Sequence, residues 1–101
     1  MLDKLMQAQQ MAEDLKQKLN QISVTGEAGN NKVVVTLTAG KDFKDIKISE
    51  SLLTPENKEE LEDLIGIAFE KALEAAEQAG QAQTAALAKS IIPGLGNLFG
   101  K

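Results

Sequence analysis

Residues 23–49 read SVTGEAGNNKVVVTLTAGKDFKDIKIS, three short runs of alternating residues joined by two breaks. In the first run, Ile22 and Val24 alternate with Ser23 and Thr25. The first break, EAGNNK, places Gly29 and Asn30 or Asn31 where positive φ is tolerated. In the second run, Val33, Val35 and Leu37 share one face, and Lys32, Val34, Thr36 and Thr38 share the other. Gly40, Lys41 and Asp42 make the second break. The third run puts Ile46 and Ile48 on one face, with Asp45, Lys47 and Ser49 opposite. A period of two with turn residues between the runs predicts a three-stranded antiparallel meander with one apolar face.

Helical patterns flank this sheet. Leu5, Ala8, Ala12, Leu15, Leu19 and Ile22 recur at alternating spacings of three and four. That is a heptad seam over residues 3–21, widened by Met6 and Met11, and it suits another helix better than a sheet. After the sheet, Thr54-Pro55-Glu56 predicts a helix start: an N-cap hydroxyl, Pro at the first helical position, then an acid facing the dipole. Leu61, Leu64, Ile65, Ala68, Phe69, Ala72, Leu73, Ala76 and Ala79 form its predicted buried stripe. Helical character is expected to about Ser90, and Pro93 ends it. The fold class is therefore α+β: helix, three-stranded antiparallel sheet, long helix. Residues 1–92 are expected to form one domain, and residues 93–101 a flexible Gly-rich tail.

Lengths constrain the assembly. A helix over residues 55–90 is about 50 Å long, whereas a six-residue strand spans about 20 Å. The helix overhangs the sheet by roughly 30 Å, and its apolar stripe continues into the overhang. The first helix can pair there, but Val34 still lies on the uncovered sheet face. A second copy would cover what remains, so a homodimer with projecting helical arms is expected. A domain of 101 residues gains from such burial.

Composition excludes much chemistry. There is no Cys and no His, which removes disulfides, thiolate metal sites, the usual general base and the Ser/His and Cys/His nucleophile pairs. No phosphate-loop motif is present; Gly26, Gly29 and Gly40 read as turn glycines. The expectation is no enzyme, no cofactor, no metal and no small-molecule substrate. The first residues lack the apolar run of a signal peptide, and no 18-residue apolar stretch exists, so a cytoplasmic protein without membrane partners is expected. Net charge is −4, unevenly spread. Residues 50–79 hold nine acids against two lysines, whereas residues 80–101 hold two lysines and no acid. The chain has no Arg, Trp or Tyr, so base readout by Arg and aromatic stacking platforms are missing. Attraction of lysines to a phosphate backbone remains.

The stretches VTGEAGNNKVVVTLTAG (residues 24–40), IKISESLL (46–53) and KEELEDLIGIAFEKALEAAEQ (58–78), in that order, resemble the YbaB/EbfC family of bacterial nucleoid-associated proteins. QAQQM (7–11) and PGLG (93–96) add to the likeness. The family pattern differs in having Lys at the position of Gln10, Asp-Pro at Ser49-Glu50, and Arg on its arms. The resemblance implies a tweezer-like homodimer in the cytoplasm and nucleoid. It implies that the protein coats DNA with little sequence preference, affecting chromosome organisation and gene expression. The family's arms meet the phosphates, which points to Lys4, Lys16 and Lys18 with Lys89. Charge alone offers Lys32, Lys44 and Lys47 beside the sheet as the rival contact set. The alternative function is a non-enzymatic scaffold of the same fold, whose acidic helical arms bind a protein partner.

Overall fold

A computed structural model describes residues 2–91; the tail expected over residues 93–101 lies outside them. The order is helix α1 (Leu2–Asn20), strands β1 (Ser23–Ala28), β2 (Val33–Thr38) and β3 (Phe43–Ile48), two 3-10 turns, and helix α2 (Lys58–Ile91). The strands form one antiparallel sheet in the order β1-β2-β3, as the alternation predicts.

Both hairpins depend on left-handed backbone. In the first, Gly29, Asn30 and Asn31 all have positive φ, and the Lys32 amide donates to the Gly29 carbonyl at 3.2 Å. Asn tolerates this region better than most residues because it is short and can hydrogen-bond locally. In the second hairpin the left-handed residue is Lys41, with φ 73°. Gly40 serves a different purpose: a Cβ there would stand 2.6 Å from the Asn20 side-chain oxygen, so its absence lets the turn approach the end of α1. Thr38 closes this turn, its hydroxyl accepting from the Asp42 amide at 3.0 Å and its own amide donating to the Asp42 carbonyl at 2.8 Å.

The sheet's apolar face carries Val24, Gly26 and Ala28 on β1 and Val33, Val35 and Leu37 on β2. The β2 residues are wholly buried. Ala68, Ala72 and Ala76 of α2 close over them, also wholly buried. These are residues four apart on one helix face. Their short side chains, with no side chain at Gly26, let α2 lie almost directly on the strand backbone. Leu52 seals the end of this core.

Three expectations need correction. Gly26, read as a turn glycine, lies inside β1 and pairs with Val35. Phe69 is not in the buried stripe; it is 38% exposed, and Phe43 is 58% exposed. The reason is that α2 lies over β1 and β2 and leaves the flank toward β3 open. The Thr54 hydroxyl makes no cap bond either. Pro55–Asn57 forms a 3-10 turn before α2 proper, and it is Ser49 whose side chain caps the preceding turn by accepting from the Ser51 amide.

Beyond the sheet α2 continues as an arm, and α1 returns along it antiparallel. Leu19 faces Ala76, Gly80 and Thr84 across a groove of about 560 Å³, and Leu15 and Lys18 stand opposite Gln83, Ala86 and Leu87. The molecule is accordingly elongated, 62 × 33 × 16 Å. No residue of α1 is fully buried: Met11, Leu15 and Leu19 are half covered, while Leu2, Leu5 and Met6 are open to solvent.

Candidate nucleic-acid interface

A surface that attracts phosphate needs cations in excess of acids within about one Debye length, roughly 8–10 Å. All seven predicted lysines are exposed. They fall into two groups that the fold keeps apart.

The first group lies on the open face of the sheet, opposite α2. Lys47 is paired with Val34 and Asp45 with Thr36. The register shifts between Thr36 and Leu37, because Leu37 pairs with Phe43 and leaves Lys44 as an extra residue in the ladder. Such a bulge re-aims the side chain it carries. Here Lys44 reaches across β2, and its ammonium donates to the Ser23 hydroxyl at 2.8 Å. The same face carries Glu27, paired across to Val34. Lys44 and Lys47 therefore share their surface with Glu27 and Asp45, and the face is neutral. Lys32 sits at the hairpin tip beside it. Asn31, with its amide oriented to satisfy both groups, donates to the Glu27 carboxylate at 2.7 Å and fixes that acid on the same face.

The second group lies on the arm. Lys4, Lys16 and Lys18 belong to α1 and Lys89 to the last turn of α2. At about 100° per residue, Lys4 and Lys18 fall on one flank of α1, and Lys16 falls about 160° from Lys18 on the other. The three do not make a single stripe. Asp3 and Asp14 share the flank of Lys4 and Lys18, and Gln10 donates to Asp14 at 3.1 Å. Glu13 shares the flank of Lys16, about 60° away around the helix; along α2 itself no acid follows Glu77, so Lys89 has no acidic neighbour on its own helix. Lys18 borders the cleft between the helices with Asp14, Gln83 and Leu87. The two groups carry the same small excess of one positive charge: Lys4, Lys16, Lys18 and Lys89 against Asp3, Glu13 and Asp14 on the arm, and Lys32, Lys44 and Lys47 against Glu27 and Asp45 at the sheet.

Lys41 is an exposed cation outside the predicted set. It sits at the tip of the second hairpin and borders the groove at the root of the arm with Leu19 and Gly40. Its signal in the sequence is the Gly-Lys-Asp turn, which puts a lysine at a loop tip, where side chains face water.

The acids of the middle segment are segregated. Glu59, Asp63, Glu70, Glu74 and Glu77 recur on the side of α2 away from the sheet, and all are exposed. That surface repels phosphate. Among the described residues, no group of three or more His, Cys, Asp or Glu side chains could hold a metal ion, and no helix is long and apolar enough to cross a membrane.

Comparison with known proteins gives consistent likenesses. The model of the YbaB/EbfC DNA-binding family matches residues 1–91. A nucleoid-associated protein of Neisseria meningitidis serogroup C is 39% identical over 98 residues, covering 92% of this chain and 88% of the relative. One from Afipia carboxidovorans is 38% identical over 97 residues, covering 95% and 92%. One from Flavobacterium johnsoniae is 34% identical over 102 residues, covering 98% and 94%. Among solved structures, an uncharacterized protein from Helicobacter pylori superposes with a TM-score of 0.72 at 22% identity, covering 85% of this chain and 91% of that one, a likeness of fold.

Proposed function

The chain belongs to the YbaB/EbfC DNA-binding family, and on that premise we propose that it is a nucleoid-associated protein that binds DNA weakly and without sequence preference, as a homodimer. The observation that carries the reading is that the family match spans the whole described body, both helices and the sheet. Bound along the cytoplasmic nucleoid, such dimers affect chromosome organisation and gene expression by occupying DNA. No enzymatic step is needed.

The lysine-only cation set supports weak, non-specific contact. Lysine is a point charge on a flexible stem, good for phosphate and poor for the bidentate base contacts that Arg makes. The near-neutral balance on both candidate surfaces keeps the affinity low. We assign the DNA contact to the arms, through Lys4, Lys16, Lys18 and Lys89. Lys32, Lys44 and Lys47 are the rival set; the preference for the arms follows the family likeness, since acids offset both sets equally.

Uncovered apolar surface supports the dimer. Phe43 on β3, Phe69 on α2 and Leu53 after the sheet are exposed on one protomer, Leu53 at 59%. Open apolar side chains of this size are the kind of surface that a second copy would cover. The scaffold alternative is favoured by one observation, the continuous acidic face of α2.

A gel-shift titration with two duplexes of unrelated sequence at low salt tests the reading. Equal retardation of both supports it. No retardation of either would replace DNA binding with the scaffold reading and make the α2 face the surface to probe.

A further inference from the structure

β3 is an edge strand, because the sheet order is β1-β2-β3. Its inner-face residues Phe43, Ile46 and Ile48 pair with Leu37, Val35 and Val33 of β2. Those β2 residues are wholly buried, whereas Phe43 is 58% exposed and Ile46 and Ile48 are half-buried. Cover therefore ends between β2 and β3, since α2 packs over β1 and β2.

The phase of the ladder fixes which backbone groups face the free edge. The Ser49 amide donates to the Lys32 carbonyl at 2.8 Å. Antiparallel pairs alternate between hydrogen-bonded and non-bonded, so Asp45 and Lys47 turn their amides and carbonyls toward β2. Ile46 and Ile48 turn theirs outward. A second β3 can join this edge antiparallel only where outward groups meet outward groups. A two-fold axis at Asp45 sets Asp45 against Asp45, and one at Lys47 sets Lys47 against Lys47. Like charges directly opposite repel. The bulge at Lys44 and the strand end at Ile48 exclude axes further out. An axis at Ile46 sets Asp45 opposite the partner's Lys47 and Lys47 opposite the partner's Asp45. Both fall in non-bonded pairs, where side chains stand closest. The β1 edge is closed to such pairing. There α2 rests on the backbone at Gly26, and joined β1 edges would bring two α2 axes to about 5 Å, inside the roughly 8–10 Å that packed helices need.

On the premise that the chain is a homodimer, we propose that two copies join through β3, antiparallel about Ile46, into one six-stranded sheet held in register by two reciprocal Asp45–Lys47 pairs. The α2 helices then stand about 19 Å apart, four strand spacings. Allowing about 10 Å for helix diameter, a trough remains in which Phe43, Ile46 and Ile48 of both chains meet. A twist of about 20–25° per strand turns arms that would leave a flat sheet at opposite ends into a V of roughly 90°.

Charge exchange tests the register. Asp45→Lys puts lysine opposite lysine at both pairs, and Lys47→Asp puts aspartate opposite aspartate. Each variant of the full chain, checked for folding by circular dichroism, should dimerise at least tenfold more weakly than the wild type in sedimentation equilibrium. An equimolar mixture of the two should regain wild-type affinity within about threefold, because each lysine then faces an aspartate. A monomeric wild type at micromolar concentration would sink the homodimer reading and this inference together. A dimeric wild type whose single variants dimerise equally well, or whose mixture shows no recovery, would overturn the β3 pairing and leave the homodimer standing. Hydrogen exchange adds a readout without substitutions. The Ile46 and Ile48 amides should slow severalfold between dilute and concentrated protein, and rates independent of concentration would contradict the pairing.

Discussion

Replacing Gly26 with Ala adds one methyl group at the point where α2 rests on β1. A Cβ built there overlaps the Ala68 carbonyl oxygen and the Ala72 amide nitrogen, and lies 2.9 Å from the Lys71 carbonyl carbon. All three obstacles are helix backbone. A clashing side chain can rotate away, but these atoms move only if α2 as a whole lifts. Lifting it separates Ala68, Ala72 and Ala76 from Val33, Val35 and Leu37, all now wholly buried. Overpacking a core costs about 1–3 kcal/mol, more when nothing can yield. We therefore expect Gly26→Ala to destabilise the fold by about 3 kcal/mol, on the order of 150-fold in the folding equilibrium. The matched control is Gly66→Ala on the exposed side of α2, where an added Cβ meets no atom within 4 Å. There the same methyl group relieves the entropic cost of Gly in a helix and should stabilise by about 0.5–1 kcal/mol. Urea unfolding followed by far-ultraviolet circular dichroism suits a chain without Trp or Tyr. Protein concentration must be held constant, because dimerisation would enter the apparent stability. A Gly26→Ala midpoint equal to or above the wild type would refute the close approach of α2 to β1.

Lys41→Gly should raise the urea midpoint by up to about 1 kcal/mol of stability, because it removes a left-handed non-glycine residue at φ 73°; a lower midpoint would show that the lysine stem packs usefully at the groove. Leu15→Asp places a carboxylate where α1 meets α2 within the chain and should cost at least about 2 kcal/mol, read as a lower urea midpoint; sedimentation equilibrium at micromolar concentration should show the wild type at twice the chain mass. Lys16→Gln with Lys18→Gln should leave the circular dichroism unchanged, since Gln and Lys have similar helix propensity, and should flatten the salt dependence of DNA binding by about one unit per phosphate contact removed. Lys44→Gln with Lys47→Gln should change that slope little, and the opposite ranking would move the DNA contact to the sheet.

The sheet is legible in the sequence because period-two alternation suits a pleated strand and no helix. Val33, Val35 and Leu37 face the core as the pattern requires, and Val34 faces away. The overhanging helix is legible from length alone. Where α2 lies across the sheet is not. That depends on Gly26 and three alanines permitting close approach over β1, a fact about backbone contact with no periodic signature. Phe69 escapes the stripe for this reason: its position on the helix wheel is near the stripe, but the helix sits to one side of the sheet. The left-handed position in the second turn falls on Lys41 beside a glycine, because Gly40 is needed for its small size next to Asn20. The lysines of the candidate interface are visible in the sequence as charges, but not as neighbours. Their neutralisation on the sheet by Glu27 and Asp45 emerges only from strand register and from the bulge at Lys44. Heptad spacing shows that α1 needs a partner helix, yet not that α2 covers only its inner half.

On the proposed reading, lysine contacts to phosphate alone hold DNA on this chain. Fluorescence anisotropy of a labelled duplex, titrated with full-length protein between 50 and 200 mM salt, tests it most directly. If the four arm lysines of one protomer contact phosphate, the affinity should fall on the order of 150-fold over that range, with a slope of log K against log salt of about −3.6, and it should fall more steeply where both arms of the dimer engage. A shuffled duplex should give the same line. Affinity that held steady across the range, or separate lines for the two duplexes, would rule out binding by lysine–phosphate contacts alone.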